Sequence, residues 1–186
     1  MCRHFALLKQ DQSLLSEYDA FDIFDESKEQ IFANDTTYAI LLEGGRFCLK
    51  KMRFGFYVME KFQLNARKET VHEKPLFSPS FESRRCVIPC SYFFEEDSHH
   101  NEHLFQGVHS PLLYLAAIYD KDRFVLLTQK GDDTVSFYHP RMPLCLRKED
   151  FYLYLDLHNK EYLFDSLRSV ELSSPDTSEQ LSLFSY

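Results

Sequence analysis

The sequence predicts an α+β fold in which strands dominate and short helices lie at the margins. Aromatic residues make up 16% of the 186 residues, and all are Phe or Tyr because the chain has no Trp, which favours strands over a helical bundle. Apolar runs alternate with turn residues, and no internal repeat or interdomain linker separates them. With 44% hydrophobic and 27% charged residues, we expect one globular domain with its own core.

Elements of the N-terminal half follow from hydrophobic alternation and turn residues. Gly44 and Gly45 separate two β-rich runs, which is typical of a hairpin. The predicted elements are, in order, an ordered terminus or strand over 1–6, a helix plus loop over 10–29, strands over 36–42 and 47–58 around a turn at 43–46, a loop or short helix over 76–85, and a buried strand over 86–95.

Elements of the C-terminal half follow in the same way. The polar, His-rich stretch 97–110 is expected to be a surface loop. Further on we predict strands over 112–119 and 124–128 joined by a hairpin turn, a turn at 131–133, a short strand over 144–146, and helices over 148–155 and 159–167. The domain is predicted to span 1–172, with 173–186 as an acidic, mobile tail rich in Ser.

Several function classes are disfavoured by composition. No apolar run approaches the roughly 20 residues that span a bilayer, and the N-terminus lacks the layout of a secretory signal. Five scattered cysteines are unlike a disulfide framework, so reduced thiols in a cytoplasmic protein are expected. We therefore predict a cytoplasmic protein with no membrane partner. We also expect it to be a monomer.

Charge is unevenly distributed along the chain. The net charge is −8, yet residues 46–85 hold ten Lys and Arg against four Glu, a local charge of +6. A basic face on an acidic body can bind a polyanion locally while the body limits non-specific binding. A basic face that is merely solvated is an equally good reading of this count.

Cys2 is the strongest candidate for a reactive nucleophile in the sequence. If Met1 is removed, Cys2 carries an α-amine and a thiol that are both partly nucleophilic near neutral pH. Such a 1,2-aminothiol traps an aldehyde as a thiazolidine, because the amine forms an imine and the thiol closes the ring. It can also act as an N-terminal nucleophile in amide hydrolysis. The alternative is a frayed terminus with no role.

Three further residues are candidates for the same site. Glu95 ends an apolar run, so desolvation would raise its pKa toward neutral and suit an acid/base, although an acidic strand end in water is the simpler reading. His139 precedes Pro140, which holds its backbone extended, although a structural histidine is the default. Asn65 and Arg67 would point to one face if their segment is a strand.

Metal and cofactor sites are not predicted. His99, His100 and His103 lie in a polar stretch that is expected to be exposed to solvent, and no pair of cysteines lies nearby. Cys86 and Cys90 lie in an apolar segment and are expected to be packed core thiols. The chain has no Gly-rich phosphate loop.

Four blocks, taken together, resemble the SOS-response-associated peptidase (SRAP) family. They are Met1-Cys2 followed by Phe5, Asn65-Ala66-Arg67-Lys68-Glu69-Thr70, Arg85-Cys86-Val87-Ile88-Pro89 leading to Glu95, and His139-Pro140-Arg141-Met142-Pro143. The resemblance covers the chain from Cys2 to about residue 146. It implies a strand-rich pseudo-barrel, or bifurcated mixed sheet, with peripheral helices.

The resemblance also implies a function and roles for individual residues. A member of the family removes its own Met1 and crosslinks through Cys2 to abasic sites in single-stranded DNA, which would associate the protein with the nucleoid. It implies that Asn65 positions the terminus, that Glu95 is the general acid/base in capture and reversal, and that His139 moves protons at the opened sugar. The implied DNA contacts are Arg67, Arg3, His4, Arg53, Phe54, Arg84, Arg85 and Arg141.

The sequence also departs from the family pattern. Arg3 and His4 replace the usual Gly-Arg, and the usual tryptophans are absent. Two alternatives to aldehyde capture therefore stay open. One is a thiol peptidase that acts on other proteins with Cys2 as its nucleophile, and the other is a diverged module that binds single-stranded DNA without covalent chemistry.

Overall fold

The fold combines a nine-stranded mixed sheet, a five-stranded antiparallel sheet and a two-stranded hairpin. The structure, a computed structural model, describes residues 2–20, 28–158 and 163–175. The strands are β1 (Phe5–Ala6), β2 (Asp19–Ala20), β3 (Gln30–Ile31), β4 (Thr36–Glu43), β5 (Arg46–Phe54), β6 (Phe56–Val58), β7 (Lys61–Gln63), β8 (Asn65–Arg67), β9 (Arg85–Cys90), β10 (Tyr92–Glu96), β11 (Glu102–Gly107), β12 (Leu113–Asp120), β13 (Arg123–Lys130), β14 (Arg141–Pro143), β15 (Cys145–Leu146) and β16 (Leu172–Ser173).

The helices are short and lie outside the sheets. They are α1 (Lys9–Gln12), α2 (Ser78–Ser83), α3 (Phe151–Leu155) and α4 (Leu163–Ser166), with single 3₁₀ turns over Ser13–Glu17 and Lys148–Asp150. No helix in the described part of the chain is long and apolar enough to cross a membrane.

The large sheet closes on itself. Antiparallel pairing runs from β13 through β12, β9 and β4 to β5, and β5 returns to β13 through the parallel pairs Arg123↔Arg53 and Phe124↔Phe54. Closure removes the free strand edges that an open sheet would expose along this path. The predicted strand-rich α+β fold with a pseudo-barrel is confirmed.

The small sheet fixes the N-terminus. Its order is β16-β11-β10-β1-β3, so β1 is an inner strand with Phe5 paired to Phe93 on one side and to Ile31 on the other. Because β1 is held from both sides, the residues that precede it enter the core at a defined place. Cys2 is fully buried there.

Strand alternation divides the core into two clusters. On β9, Cys86, Ile88 and Cys90 face the cluster that contains Cys2, whereas Val87 faces the other cluster. Successive side chains of a strand point to opposite faces, so the parity of a residue on β9 decides whether it can reach Cys2.

Several predicted elements are confirmed. The hairpin turn at 43–46 has positive φ at Gly44 (57°) and Gly45 (80°), which suits the primed turns of two-residue hairpins. The hairpin of β12 and β13 and the helical segment that ends at Leu155 also form as expected.

Other predicted elements are wrong. The run 86–95 is two strands in different sheets, because the chain turns at Ser91, whose side chain donates to the Asp11 carboxylate at 2.6 Å. The expected loop 97–110 contains β11, since Leu104 and Phe105 are buried and the strand pairs with β10. The long strand 47–58 is broken at Gly55, which has φ of 98°.

Two predictions fall partly outside the described residues. Within the helix plus loop expected over 10–29, α1 ends at Gln12 and one 3₁₀ turn continues to Glu17, and residues 21–27 are not described. The helix expected over 159–167 is described from residue 163, as α4. The domain boundary at 172 stays a prediction, because residues 176–186 of the predicted tail lie outside the described residues.

Candidate active site

Cys2 is held at both its side chain and its backbone. Its thiol donates to the carbonyl oxygen of His4 at 3.3 Å, and the Asn65 side-chain amide donates to the carbonyl oxygen of Cys2 at 2.8 Å. Asn65 is 63 residues away in sequence, so tertiary structure alone brings the two together. The orientation of Cys2 is therefore set by the fold.

Asn65 and Arg67 lie on the short strand β8, which runs parallel to β13 in the register Leu126↔Asn65 and Thr128↔Arg67. Ala66 between them is buried in the cluster away from Cys2. Alternation therefore directs Asn65 and Arg67 to the same face, as the sequence predicts, and Asn65 contacts Cys2 on that face. The Arg67 side chain is exposed there.

Glu95 lies near the end of β10 and is only 2% exposed. Burial raises the pKa of its carboxyl group to about 7, and a hydrogen bond from the backbone N–H of Cys2 acts in the opposite direction. The carboxyl group is therefore poised to gain or lose a proton near neutral pH, which is what a general acid/base requires. Its contact with the Cys2 nitrogen places it at the atom that becomes the α-amine if Met1 is removed.

His139 lies next to Glu95. Its Nδ1 atom is 2.7 Å from the carbonyl oxygen of Arg141 and 3.4 Å from Oε2 of Glu95. The backbone N–H of Arg141 lies 3.1 Å from the same Nδ1 atom, so Nδ1 has a partner in Arg141 whether or not it carries the ring proton. Burial lowers the pKa of His139 and favours the neutral ring.

Burial has the opposite effect on the Cys2 thiol. It raises the thiol pKa well above its ordinary value, and the negative charge of Glu95 raises it further. The thiol is therefore protonated at neutral pH. It needs a base before it can act as a nucleophile.

A pocket of about 310 Å³ lies over Glu95 and His139. Besides these two residues, it is lined by Arg3, His4, Phe94, Glu96, Asp97, Ser98, Glu102, Tyr138 and Pro140. The pocket is large enough for a sugar-sized group and brings together segments from three distant parts of the chain. Tyr138 was missed by sequence reasoning, although its position next to His139 was a usable signal.

His4 does not have the exposed position expected of a phosphate contact. Its ring is 6% exposed and stacks between Phe94 at 4.2 Å and Phe32 at 4.6 Å, with Nδ1 at 3.4 Å from Glu102. Burial lowers the pKa of His4, so no fixed positive charge is available for DNA at neutral pH. The carbonyl oxygen of His4 instead holds the Cys2 thiol.

Two predicted DNA contacts are contradicted by burial. Phe54 is fully buried and packs on Phe5 and Phe124, with ring centroids 5.4 and 5.2 Å apart, so it cannot stack on a base. Arg85 is 3% exposed and has the parity of Val87 on β9, so it points to the face away from Cys2. Its guanidinium group lies over the Tyr154 ring.

The other predicted contacts differ in how they are held. Arg3 lines the pocket with 78% of its side chain exposed. Arg141 makes a bidentate ion pair with Glu69 at 2.8 and 2.9 Å, so DNA would compete with that carboxylate. Arg84 donates to the Tyr119 carbonyl oxygen, and Arg53 lies 3.7 Å from an Asp122 oxygen. Neither Arg84 nor Arg53 lines the pocket.

The cysteines and histidines offer no cluster for a metal ion within the residues that the structure describes. All five cysteines are buried and free of disulfides. The Nε2–H of His103 donates to the Asp97 carboxylate at 3.0 Å, and the ring packs on Tyr138 with centroids 4.0 Å apart, which accounts for His103 structurally.

The chain is similar to known proteins in sequence and in fold. A sequence model of the family described as SOS response associated peptidase (SRAP) matches residues 1–182. The chain is 26% identical to the abasic site processing protein YoaM of Bacillus subtilis (strain 168), with 98% of this chain and 86% of that protein covered. It is 23% identical to the abasic site processing protein YobE of the same organism, over 97% of this chain and 98% of that protein. Its fold resembles a crystal structure from Bordetella bronchiseptica with a TM-score of 0.72 and 20% identity, covering 94% and 100% of the two chains.

Proposed function

The chain belongs to the SOS response associated peptidase family, and from this premise we propose that it captures abasic sites in single-stranded DNA through Cys2. The relatives YoaM and YobE are named for the processing of abasic sites. The observation that carries the proposal is the convergence on Cys2: Asn65 donates to its carbonyl oxygen, and its backbone N–H donates to Glu95. The carbonyl oxygen and the backbone nitrogen of Cys2 are therefore both held by side chains, which fixes the position of Cys2 for a reaction at the N-terminus.

The first step is removal of Met1. The Cys2 thiol adds to the Met1 carbonyl carbon, and the peptide C–N bond breaks to leave a thioester and a free Cys2 amine. Water then hydrolyses the thioester, which releases methionine and restores the thiol. Glu95 supports this step because it contacts the Cys2 nitrogen and can deliver the proton that the departing amine needs.

The second step is capture of the aldehyde of a ring-opened abasic sugar. The Cys2 amine adds to the aldehyde carbon, and loss of one water molecule gives an imine. The thiol sulfur then adds to the imine carbon, and its proton passes to the nitrogen, which closes a thiazolidine ring. One water molecule is the only product besides the crosslink, so no oxidant or reductant is needed.

Two side chains serve these proton transfers. Glu95, with a pKa of about 7, is proposed to take the thiol proton and to protonate the leaving water. His139 is neutral and lies 3.4 Å from Glu95, so it is proposed to exchange protons at the opened sugar. Asn65 positions the terminus, and exposed Arg67 on the same face is proposed to bind phosphate.

The proposal is tested with single-stranded DNA that carries one abasic site. Protein with a verified mature N-terminus is mixed with this DNA and run on a denaturing gel beside an undamaged strand. A shifted band is expected only with the abasic strand, and Cys2→Ala should abolish it. Cys48→Ala is the matched control, because it removes another buried thiol without touching the N-terminus.

Each other outcome identifies a different function. If no band forms although Met1 is absent, and DNA still binds, the protein is a non-covalent module for single-stranded DNA. If no band forms and peptides are turned over with no dependence on an aldehyde, it is a thiol peptidase with Cys2 as nucleophile. Either result would overturn aldehyde capture.

A further inference from the structure

Phe137 is the most exposed aromatic side chain of the described residues, at 84%. Its only ring contact there is an edge-to-face one with Tyr138, with centroids 5.1 Å apart. Among the other exposed rings, Phe32 stacks on His4 at 4.6 Å, Tyr57 lies 5.0 Å from the Phe62 ring, and Tyr152 lies on α3. The face of the Phe137 ring is therefore open to a ligand.

The ring is presented by a well-fixed turn between β13 and β14. The Asp132 carboxylate accepts hydrogen bonds from the backbone N–H groups of Thr134 at 3.0 Å and Val135 at 2.8 Å. Val135 is fully buried and anchors the turn in the core. An added Cβ at Gly131 would lie 2.9 Å from the carbonyl oxygen of His139, so the two ends of the turn pack closely against each other. A ring held this way loses little entropy when it binds a ligand.

The turn leads directly into the candidate active site. Tyr138 and His139, the two residues after Phe137, both line the pocket over Glu95. Arg3 lines the same pocket and is largely exposed, so a cation is available beside it. The Phe137 ring contacts pocket-lining Tyr138 from outside the pocket, so an aromatic face next to the pocket and an arginine within its lining match the base and the phosphate of a polynucleotide.

A single ring also argues against a protein partner. Its neighbours Ser136 and Asp133 are exposed and polar, so Phe137 does not belong to a continuous apolar patch. Protein interfaces bury far larger apolar areas, whereas one ring suffices to stack one base.

We propose that Phe137 is a stacking platform for the nucleobase adjacent to the abasic nucleotide. The inference rests on the proposed function and adds a residue to it: the pocket takes the opened sugar while the neighbouring base lies on the Phe137 ring. Every base has a π-face, so this contact would favour a strand with bases beside the lesion without selecting a sequence.

The test compares crosslinking rates at DNA concentrations well below saturation. Phe137→Ala should slow capture of an abasic site by about tenfold, the size expected for loss of one stacked base, and Phe137→Trp should restore the rate. Tyr152→Ala, which removes an exposed ring from α3, should have no effect. A second DNA carries baseless spacers on either side of the abasic site. On that strand wild type and Phe137→Ala should react at the same rate.

The outcomes separate this inference from the proposed function. If wild-type protein forms no crosslink, the proposed function fails, and the platform fails with it. If wild type crosslinks and Phe137→Ala matches it on ordinary DNA, only the platform is overturned. If Phe137→Ala is slower by the same factor on both strands, the ring shapes the pocket rather than binding a base, which also overturns it.

Discussion

Glu95→Gln should remove a pH-dependent loss of stability that the wild-type protein carries between acid and neutral pH. Burial raises the Glu95 pKa from 4.5 to about 7, so the folded protein holds this proton over a range in which the unfolded chain has released it. Stability therefore falls as pH rises from about 4.5 to about 7. Each pKa unit corresponds to about 1.4 kcal/mol, which makes the fall about 3 kcal/mol for a side chain that is 2% exposed.

Urea unfolding at a series of pH values, followed by circular dichroism, measures this quantity. The free energy of unfolding of Glu95→Gln minus that of wild type should increase by about 3 kcal/mol from pH 4.5 to pH 8.5. Intact mass must first show that both proteins carry the same N-terminus. Glu96→Gln is the neighbouring control, and it should keep the wild-type fall because Glu96 has a lowered pKa from its hydrogen bond with His100. A constant difference across the range would refute the burial argument.

Three further changes have defined expectations. Asn65→Ala removes the hydrogen bond to the Cys2 carbonyl and should slow crosslinking about tenfold in timed denaturing gels, with DNA affinity unchanged; an unchanged rate would contradict the positioning role. Arg67→Gln should weaken DNA binding and lower the salt slope of the affinity by about 1, whereas buried Arg85→Gln should leave that slope unchanged. Phe54→Ala should lower the free energy of unfolding by about 3–5 kcal/mol in urea, and a loss below 1 kcal/mol would argue against its burial.

The sequence predicts local pairing well and sheet membership poorly. The hairpin at Gly44 and Gly45 is correct because turn residues and alternation are local signals. The split of 86–95 into β9 and β10 depends on Ser91, whose N–H donates to the Ala6 carbonyl at 2.6 Å and whose hydroxyl reaches Asp11. Those partners are about eighty residues away, so no local pattern reports them.

The candidate site shows the same division. Motif order pointed to Asn65, Glu95 and His139, and the structure brings all three to Cys2 or to one another. The sequence does not predict which of these side chains are exposed to solvent. Phe54 is an aromatic residue in a basic stretch, yet it is buried in the core. An arginine or phenylalanine near a motif is a DNA contact only if its strand parity and depth place it outside, and those depend on the closure of the large sheet.

The burial of Cys2 constrains the order of the proposed reaction. With its pKa raised by desolvation, the thiol is protonated at neutral pH, so direct attack of a thiolate on the aldehyde is not the opening event. The amine must act first and place the electrophilic imine carbon on the residue that carries the thiol. Ring closure is then intramolecular, which offsets the weak acidity of the thiol through the high effective concentration of the two reacting atoms. Glu95 lies close enough to influence the pKa of that thiol and has a pKa of about 7, so we infer that it takes the proton as the ring closes.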